Sequence, residues 1–175
     1  YYRSEVNIEL EHRKNGSRLL INVNPGEPTR IENVELIING DATDDPDFKA
    51  LLQQAPKKGQ VVHHGRYDSF KSSFNSLALR KGYFDAKFSL APSLQQAFIK
   101  LHFDSGTRYR FGDVSFSGEH IRSERLQTLV PFKSGDPYLA SQLGELNQSL
   151  ANTNWFSSIL VTGDTERLDN YVLPV

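Results

Sequence analysis

The residues best equipped for chemistry are the pair His63-His64, the acidic run Asp44-Asp45-Pro46-Asp47, and the serines Ser69, Ser72, Ser73 and Ser76. Paired histidines serve a metal-dependent hydrolase when a third His, Asp or Glu stands at ligand spacing and leaves a position for water. No such third ligand stands near His63-His64, and neighbouring side chains in an extended loop point apart. The pair reads as a solvated loop, and no metal is expected. His12, His102 and His120 are scattered through turn and strand contexts. The aspartates precede Pro46 and an apolar stripe, which is where a helix N-cap belongs. The serines lie on the polar side of a helical stretch, without the strand-to-helix elbow or partner base that a serine nucleophile needs. Gly-rich phosphate loops are absent. Asn15-Gly-Ser17 and Asn147-Gln-Ser149 match a glycosylation acceptor, a pattern common by chance. No catalytic residue and no cofactor are expected.

Composition narrows the classes further. The 175 residues carry 20 Lys plus Arg against 21 Asp plus Glu, so no global charge draws the chain to nucleic acid or anionic lipid. There is no cysteine, which excludes a disulfide framework, a thiol nucleophile and thiolate metal sites. There is no methionine either, so a processed or excised fragment is expected. Tyr1 to Leu20 lacks the basic and apolar regions of a secretory signal, and no window approaches the ~20 apolar residues of a membrane helix. Any such part is expected outside these residues.

The elements that must position any site follow from periodicity. Val6, Ile8 and Leu10, then Leu19, Ile21 and Val23, alternate across the turn at Gly16 and predict a hairpin. After Pro25-Gly26 a strand is expected over 30–38. A short helix follows with Phe48, Leu51, Leu52 and Ala55 on one face, and then a loop over 56–65. Tyr67, Phe70, Phe74, Leu77 and Ala78 predict a second helix over 66–81, closed by Gly82 as a left-handed cap. Strands are expected at 84–90 and 99–103. The order then recurs: a strand over 110–116, a short helix over 123–130, and a loop over 131–137. Leu139, Leu143, Leu146 and Leu150 mark a helix, and strands are expected at 155–162 and 171–175.

An aromatic pair marks each copy: Tyr1-Tyr2, Tyr83-Phe84 and Trp155-Phe156, spaced 82 and 72 residues apart. The strand-opening block Gly26-Glu-Pro-Thr-Arg30-Ile31-Glu-Asn-Val34 returns 80 residues on as Gly106-Thr-Arg-Tyr-Arg110-Phe111-Gly-Asp-Val114. Solenoid repeats run to roughly 50 residues at most, so tandem small domains are predicted. The aromatic pairs read as core packing at the handover from helix to strand rather than as a ligand-stacking mark. Arg30 and Arg110 read as solvated or interdomain ion-pair residues.

Strand, helix, helix, strand, strand in tandem, with Gly82-Tyr83-Phe84 closing the second helix, resembles the POTRA domains of the Omp85 outer-membrane assembly superfamily. Three stretches carry the likeness further: Ser76-Leu-Ala-Leu-Arg-Lys-Gly-Tyr-Phe-Asp85, Arg108-Tyr-Arg-Phe-Gly112 and Leu129-Val-Pro-Phe-Lys-Ser-Gly-Asp136. They look most like the branch that forms the outer-membrane subunit of the translocation and assembly module. The third copy departs with Asn154-Trp155-Phe156, which keeps the aromatics and puts Asn where a left-handed residue is needed.

The resemblance implies an α+β fold of tandem units, each β-α-α-β-β with a three-stranded mixed sheet and two helices on one face. Residues 1–25 would be the last hairpin of a first unit, 26–105 a second and 106–175 a third. It implies a periplasmic, non-enzymatic interaction scaffold ahead of a C-terminal membrane β-barrel. Its implied partners are that barrel, an inner-membrane partner subunit, and unfolded outer-membrane or autotransporter clients; nucleic acid is not among them. Two-partner secretion transporters carry similar arrays and are the alternative. The strand after each aromatic pair would lie at the sheet edge, with unpaired N–H and C=O groups able to accept another chain. Asp85, Ala86, Lys87, Phe88, Ser89 and Leu90 form the candidate binding strand. Lys87 reads as a gatekeeper against aggregation or as a contact for an acidic partner.

Overall fold

The computed structural model describes residues 4–13, 16–89, 97–118 and 122–175. Tyr1-Tyr2, Leu90 and His120 lie outside them. The predicted hairpin forms from β1 (Glu5–Arg13) and β2 (Gly16–Asn24), paired antiparallel with Val6 opposite Val23, Ile8 opposite Ile21 and Leu10 opposite Leu19. These six side chains share one face, and each is more than half exposed.

The stretch expected as the second unit holds β3 (Asn33–Asn39), a 3-10 turn at 41–44, α1 (Pro46–Leu52), α2 (His64–Lys81), β4 (Lys87–Phe88) and β5 (Phe98–Asp104). Its sheet has the order β3-β5-β4, with β3 parallel and β4 antiparallel to the central β5. The mixed three-stranded sheet is therefore present. Local chemistry sets the helix ends as expected. Asp45 caps α1, its Oδ1 accepting the Asp47 N–H at 2.9 Å, with Pro46 at the first helical position. Gly82 ends α2 in the left-handed conformation at φ 80°. The stripe on α2 meets the inward residues of β5 in one aromatic core. Phe48, Phe74 and Phe103 are fully buried there, with ring centroids 5.3–5.8 Å apart.

The stretch expected as the third unit holds β6 (Arg110–Phe111), α3 (Ser123–Gln127), α4 (Ala140–Asn152), a 3-10 turn at 165–167 and β7 (Val172–Leu173). Its ladder is shorter than the pattern implied: β6 and β7 pair in parallel, and the alternating stretch 155–162 forms no strand. Phe111, Leu126, Phe132, Leu146, Leu150 and Leu173 build its core.

The repeat holds at the level of single hydrogen bonds. Gly59, at φ 87°, donates to Ile31 O, and Ile31 N–H donates to Gln60 O. Gly135, at φ 91°, donates to Phe111 O, and Phe111 N–H donates to Asp136 O. The Gln60 and Asp136 side chains each accept the N–H of the lysine three residues before, Lys57 or Lys133. Arg30 and Arg110 close the same loops, donating to Gly59 O at 3.0 Å and Gly135 O at 2.8 Å. These arginines are thus exposed loop clasps inside their own units, and among the described residues neither forms an ion pair; the guanidinium instead reaches a carbonyl that the left-handed glycine turns toward it.

Candidate polypeptide-binding edge

β4 exists because Phe88 belongs to the core: it packs on Phe74 and Phe103, while the Lys71 ammonium lies 5.2 Å from its ring centroid. Ser89 N–H donates to His102 O at 2.9 Å, and Phe88 stands opposite Phe103. Successive residues of an antiparallel ladder aim their backbone groups in opposite directions. The N–H and C=O of Phe88 therefore face away from β5, at the outer edge of the sheet that the described residues form.

The six residues of the candidate strand divide accordingly. Lys87, Phe88 and Ser89 lie along the edge, with Lys87 and Ser89 exposed. Asp85 and Ala86 do not extend it: Ala86 N–H turns back to Tyr83 O, and the Asp85 carboxylate accepts the Tyr109 hydroxyl at 3.1 Å. Leu90 lies outside the described residues. The edge is short, and short edges are one way sheets resist unwanted pairing.

Beside the edge, the second and third units are fastened together. The aromatic pair splits across the junction: Tyr83 is buried against Phe48, whereas Phe84 sits between Tyr109 and Tyr138 of the third unit, 5.0 Å from each ring. Arg108 closes the gap. Its Nε donates to Lys81 O, its Nη2 to Tyr138 O and its backbone N–H to Asp41, while the guanidinium lies 5.9 Å from the Tyr83 ring centroid. A cation on the last carbonyls of α2 is also favoured by the helix dipole. Sequence reasoning gave Arg108 no role; its place one residue before the apolar start of a new unit was the available signal. In the third unit, Asn154 takes the left-handed conformation expected of it, at φ 55°, but Trp155 is half exposed rather than core.

The chemically suggestive residues have structural duties. His63 Nδ1 accepts the Arg66 N–H at 3.3 Å and caps α2, while His64 is the first helical residue. Asp45 and Asp47 both pair with Lys81, tying the start of α1 to the end of α2; the Asp45 oxygens stand 2.6 and 2.7 Å from Nζ. Burial raises the Asp45 pKa, but the Lys81 hydrogen bond and the Asp47 N–H outweigh it and leave the carboxyl below its usual value. For Lys81, burial lowers the pKa and the two carboxylates carry it above normal. Among the described residues no group of three His, Asp or Glu is placed to hold a metal ion.

Residues 109–172 match the POTRA family, described as a surface antigen variable number repeat, so the third unit carries the sequence signature of a POTRA domain. Solved structures extend the likeness over both units. The Haemophilus influenzae BamA POTRA3-5 crystal structure superposes with a TM-score of 0.51 at 13% identity, covering 99% of this chain and 71% of that one. BamA from Haemophilus ducreyi lacking POTRA domains 1-3 gives 0.58 at 16% identity, covering 83% of this chain and 28% of that one. At such identities the likeness is one of fold. Among the described residues no helix is long and apolar enough to cross a membrane.

Proposed function

We propose that this chain is a periplasmic, non-enzymatic scaffold of an outer-membrane assembly or secretion protein, and that it holds extended polypeptide by strand addition at β4. The observation that carries the reading is the outward-facing backbone of Phe88 at the edge of a POTRA-type sheet. Main-chain hydrogen bonds give such an edge affinity with little dependence on client sequence, which suits a module that handles many unfolded barrel strands. Lys87 adds a positive charge beside it. The stretches at 76–85, 108–112 and 129–136 favour a relative of TamA, the outer-membrane subunit of the translocation and assembly module. On that reading the clients are autotransporters or other barrel proteins, the partner is an inner-membrane subunit, and a membrane barrel belongs to the same protein.

Proline is a poor probe of this edge: at Ser89 it would remove a donor that β5 already uses. N-methylation of the Phe88 amide by semisynthesis keeps the side chain and removes the outward donor. With a soluble peptide of about ten alternating apolar and polar residues, as barrel strands have, the expected result is at least a tenfold loss of affinity with unchanged circular dichroism. Equal affinity with an intact fold would refute the site.

A further inference from the structure

The second unit holds a cavity of about 680 Å³ between the end of α1, the loop that follows it and the start of α2. Its apolar lining comes from buried Ile31, Phe70 and Ile99 and half-buried Leu51, and its cationic lining includes Lys57 and Arg66. No Asp or Glu lines it, and among the described residues neither Lys57 nor Arg66 has a carboxylate partner. Tyr67 adds an unused donor. It is only 6% exposed, and among the described residues its hydroxyl has no hydrogen-bond partner. Burial holds its pKa above the usual phenol value, so the proton stays on at neutral pH.

The loop brings unused backbone to the same place. Val62 N–H donates to Thr29 O and Ile31 N–H to Gln60 O, so Arg30 and Val61 form an antiparallel bridge between those two bonds. The N–H and C=O of the residues in such a bridge point away from each other. Val61, exposed and lining the cavity, therefore turns both groups outward, and among the described residues nothing bonds them. The third unit repeats this backbone without its chemistry. Tyr138 N–H donates to Tyr109 O and Phe111 N–H to Asp136 O, so Pro137 stands in the bridge where Val61 does and has no N–H to offer. Counted from Gly59 and Gly135, Gln142 takes the place of Arg66 and Leu143 that of Tyr67.

We infer that this cavity docks an extended acidic segment of a partner protein, whose backbone pairs with Val61, whose carboxylates meet Lys57, Arg66 and the Tyr67 hydroxyl, and whose apolar side chain enters toward Phe70 and Ile99. Charge selects this occupant: cations without a counter-charge of their own attract an anionic segment and repel a basic one. The outward N–H and C=O of Val61 select a polypeptide over a lipid tail, which can satisfy neither group. No residue of β4 lines the cavity, so the inference holds whether or not β4 accepts a client strand.

A capped peptide of alternating glutamate and leucine tests it, with amide exchange of the chain as the readout. The Val61 amide is expected to exchange fast alone and at least tenfold more slowly at saturating peptide, a response separate from that of the Phe88 amide. Lys57→Gln with Arg66→Gln is expected to weaken this binding at least tenfold. Val61→Pro is expected to do the same with unchanged circular dichroism, since the equivalent bridge already carries Pro137. A Val61 amide that stays fast with the peptide bound would overturn the proposal, as would full affinity in the Lys57/Arg66 double variant. Equal protection of Val61 by a peptide with lysine in place of glutamate would overturn it too. So would a cavity that takes dodecanoate and not the peptide, or protection of Val61 without peptide that grows with protein concentration, since a lipid or a second copy would then be the occupant.

Discussion

The second and third units each carry an aromatic pair after the equivalent helix, yet Tyr83 is almost fully buried and Trp155 is half exposed. In the second unit the pair is shared between two cores. Tyr83 completes its own and Phe84 enters the next, with Arg108 sealing the carbonyls between them. In the third unit Phe156 packs on its own core and Trp155 is left at the surface. A repeated motif thus fixes a backbone geometry, a left-handed residue followed by two large side chains, while the neighbouring structure decides what each side chain does.

The largest contrast is expected on truncating the first aromatic of each pair. Tyr83→Ala should cost the second unit about 3–5 kcal/mol, the range for large aromatic deletions in a core. Trp155→Ala should change stability by only about 0.5 kcal/mol, as exposed sites do. Amide exchange followed separately in each unit reads both, and similar losses would break the comparison.

Next in size is Gly82→Ala. The left-handed backbone strains any side chain there, and a Cβ would stand 2.7 Å from Tyr138 Cβ. Strain and overpacking together predict a loss of about 2–3 kcal/mol, with a changed angle between the units by small-angle scattering. Asn154→Ala, at the equivalent left-handed position, should cost about 1 kcal/mol.

Acid should separate the units more gently. The Asp45 pKa is lowered on folding, so its contribution is present above the unfolded value and is lost as pH falls through the folded one. The raised Lys81 pKa works at the other end: its contribution is present below the unfolded value and is lost as pH rises through the folded one. The N-cap of α3, Arg122, makes no such side-chain cap. Exchange measured from pH 6 down to about 3 should therefore show the second unit losing stability first, and Asp45→Asn, which keeps the N-cap acceptor but removes the charge facing Lys81, should cost about 1–2 kcal/mol at neutral pH while flattening that slope. The smallest effect is expected from the clasps: Arg30→Lys and Arg110→Lys should each cost about 0.5–1 kcal/mol, equally in the two units, for the loss of one exposed hydrogen bond.

Much of the fold was legible because its signals are local. Asp45, Pro46 and Gly82 set helix ends through bonds to near neighbours, and the stripe from Tyr67 to Ala78 needed only a core to face. What escaped depends on partners distant in sequence. Residues 155–162 alternate as a strand should, but a ladder requires a neighbour that alternation cannot supply. Arg30 finds its carbonyl 29 residues away at Gly59, so a lone arginine at a strand start gave no hint of a clasp. Of the candidate edge, the position of β4 was legible from element order. Which of its amides points outward was not, since that depends on the register with β5.

That register makes the central claim directly measurable by amide exchange in the free chain and in the presence of the alternating peptide. Ser89, bonded to His102 O, should exchange slowly throughout, whereas Phe88, facing outward, should exchange fast alone and at least tenfold more slowly at saturating peptide. A Phe88 amide that stays fast while the peptide is bound would contradict strand addition at β4.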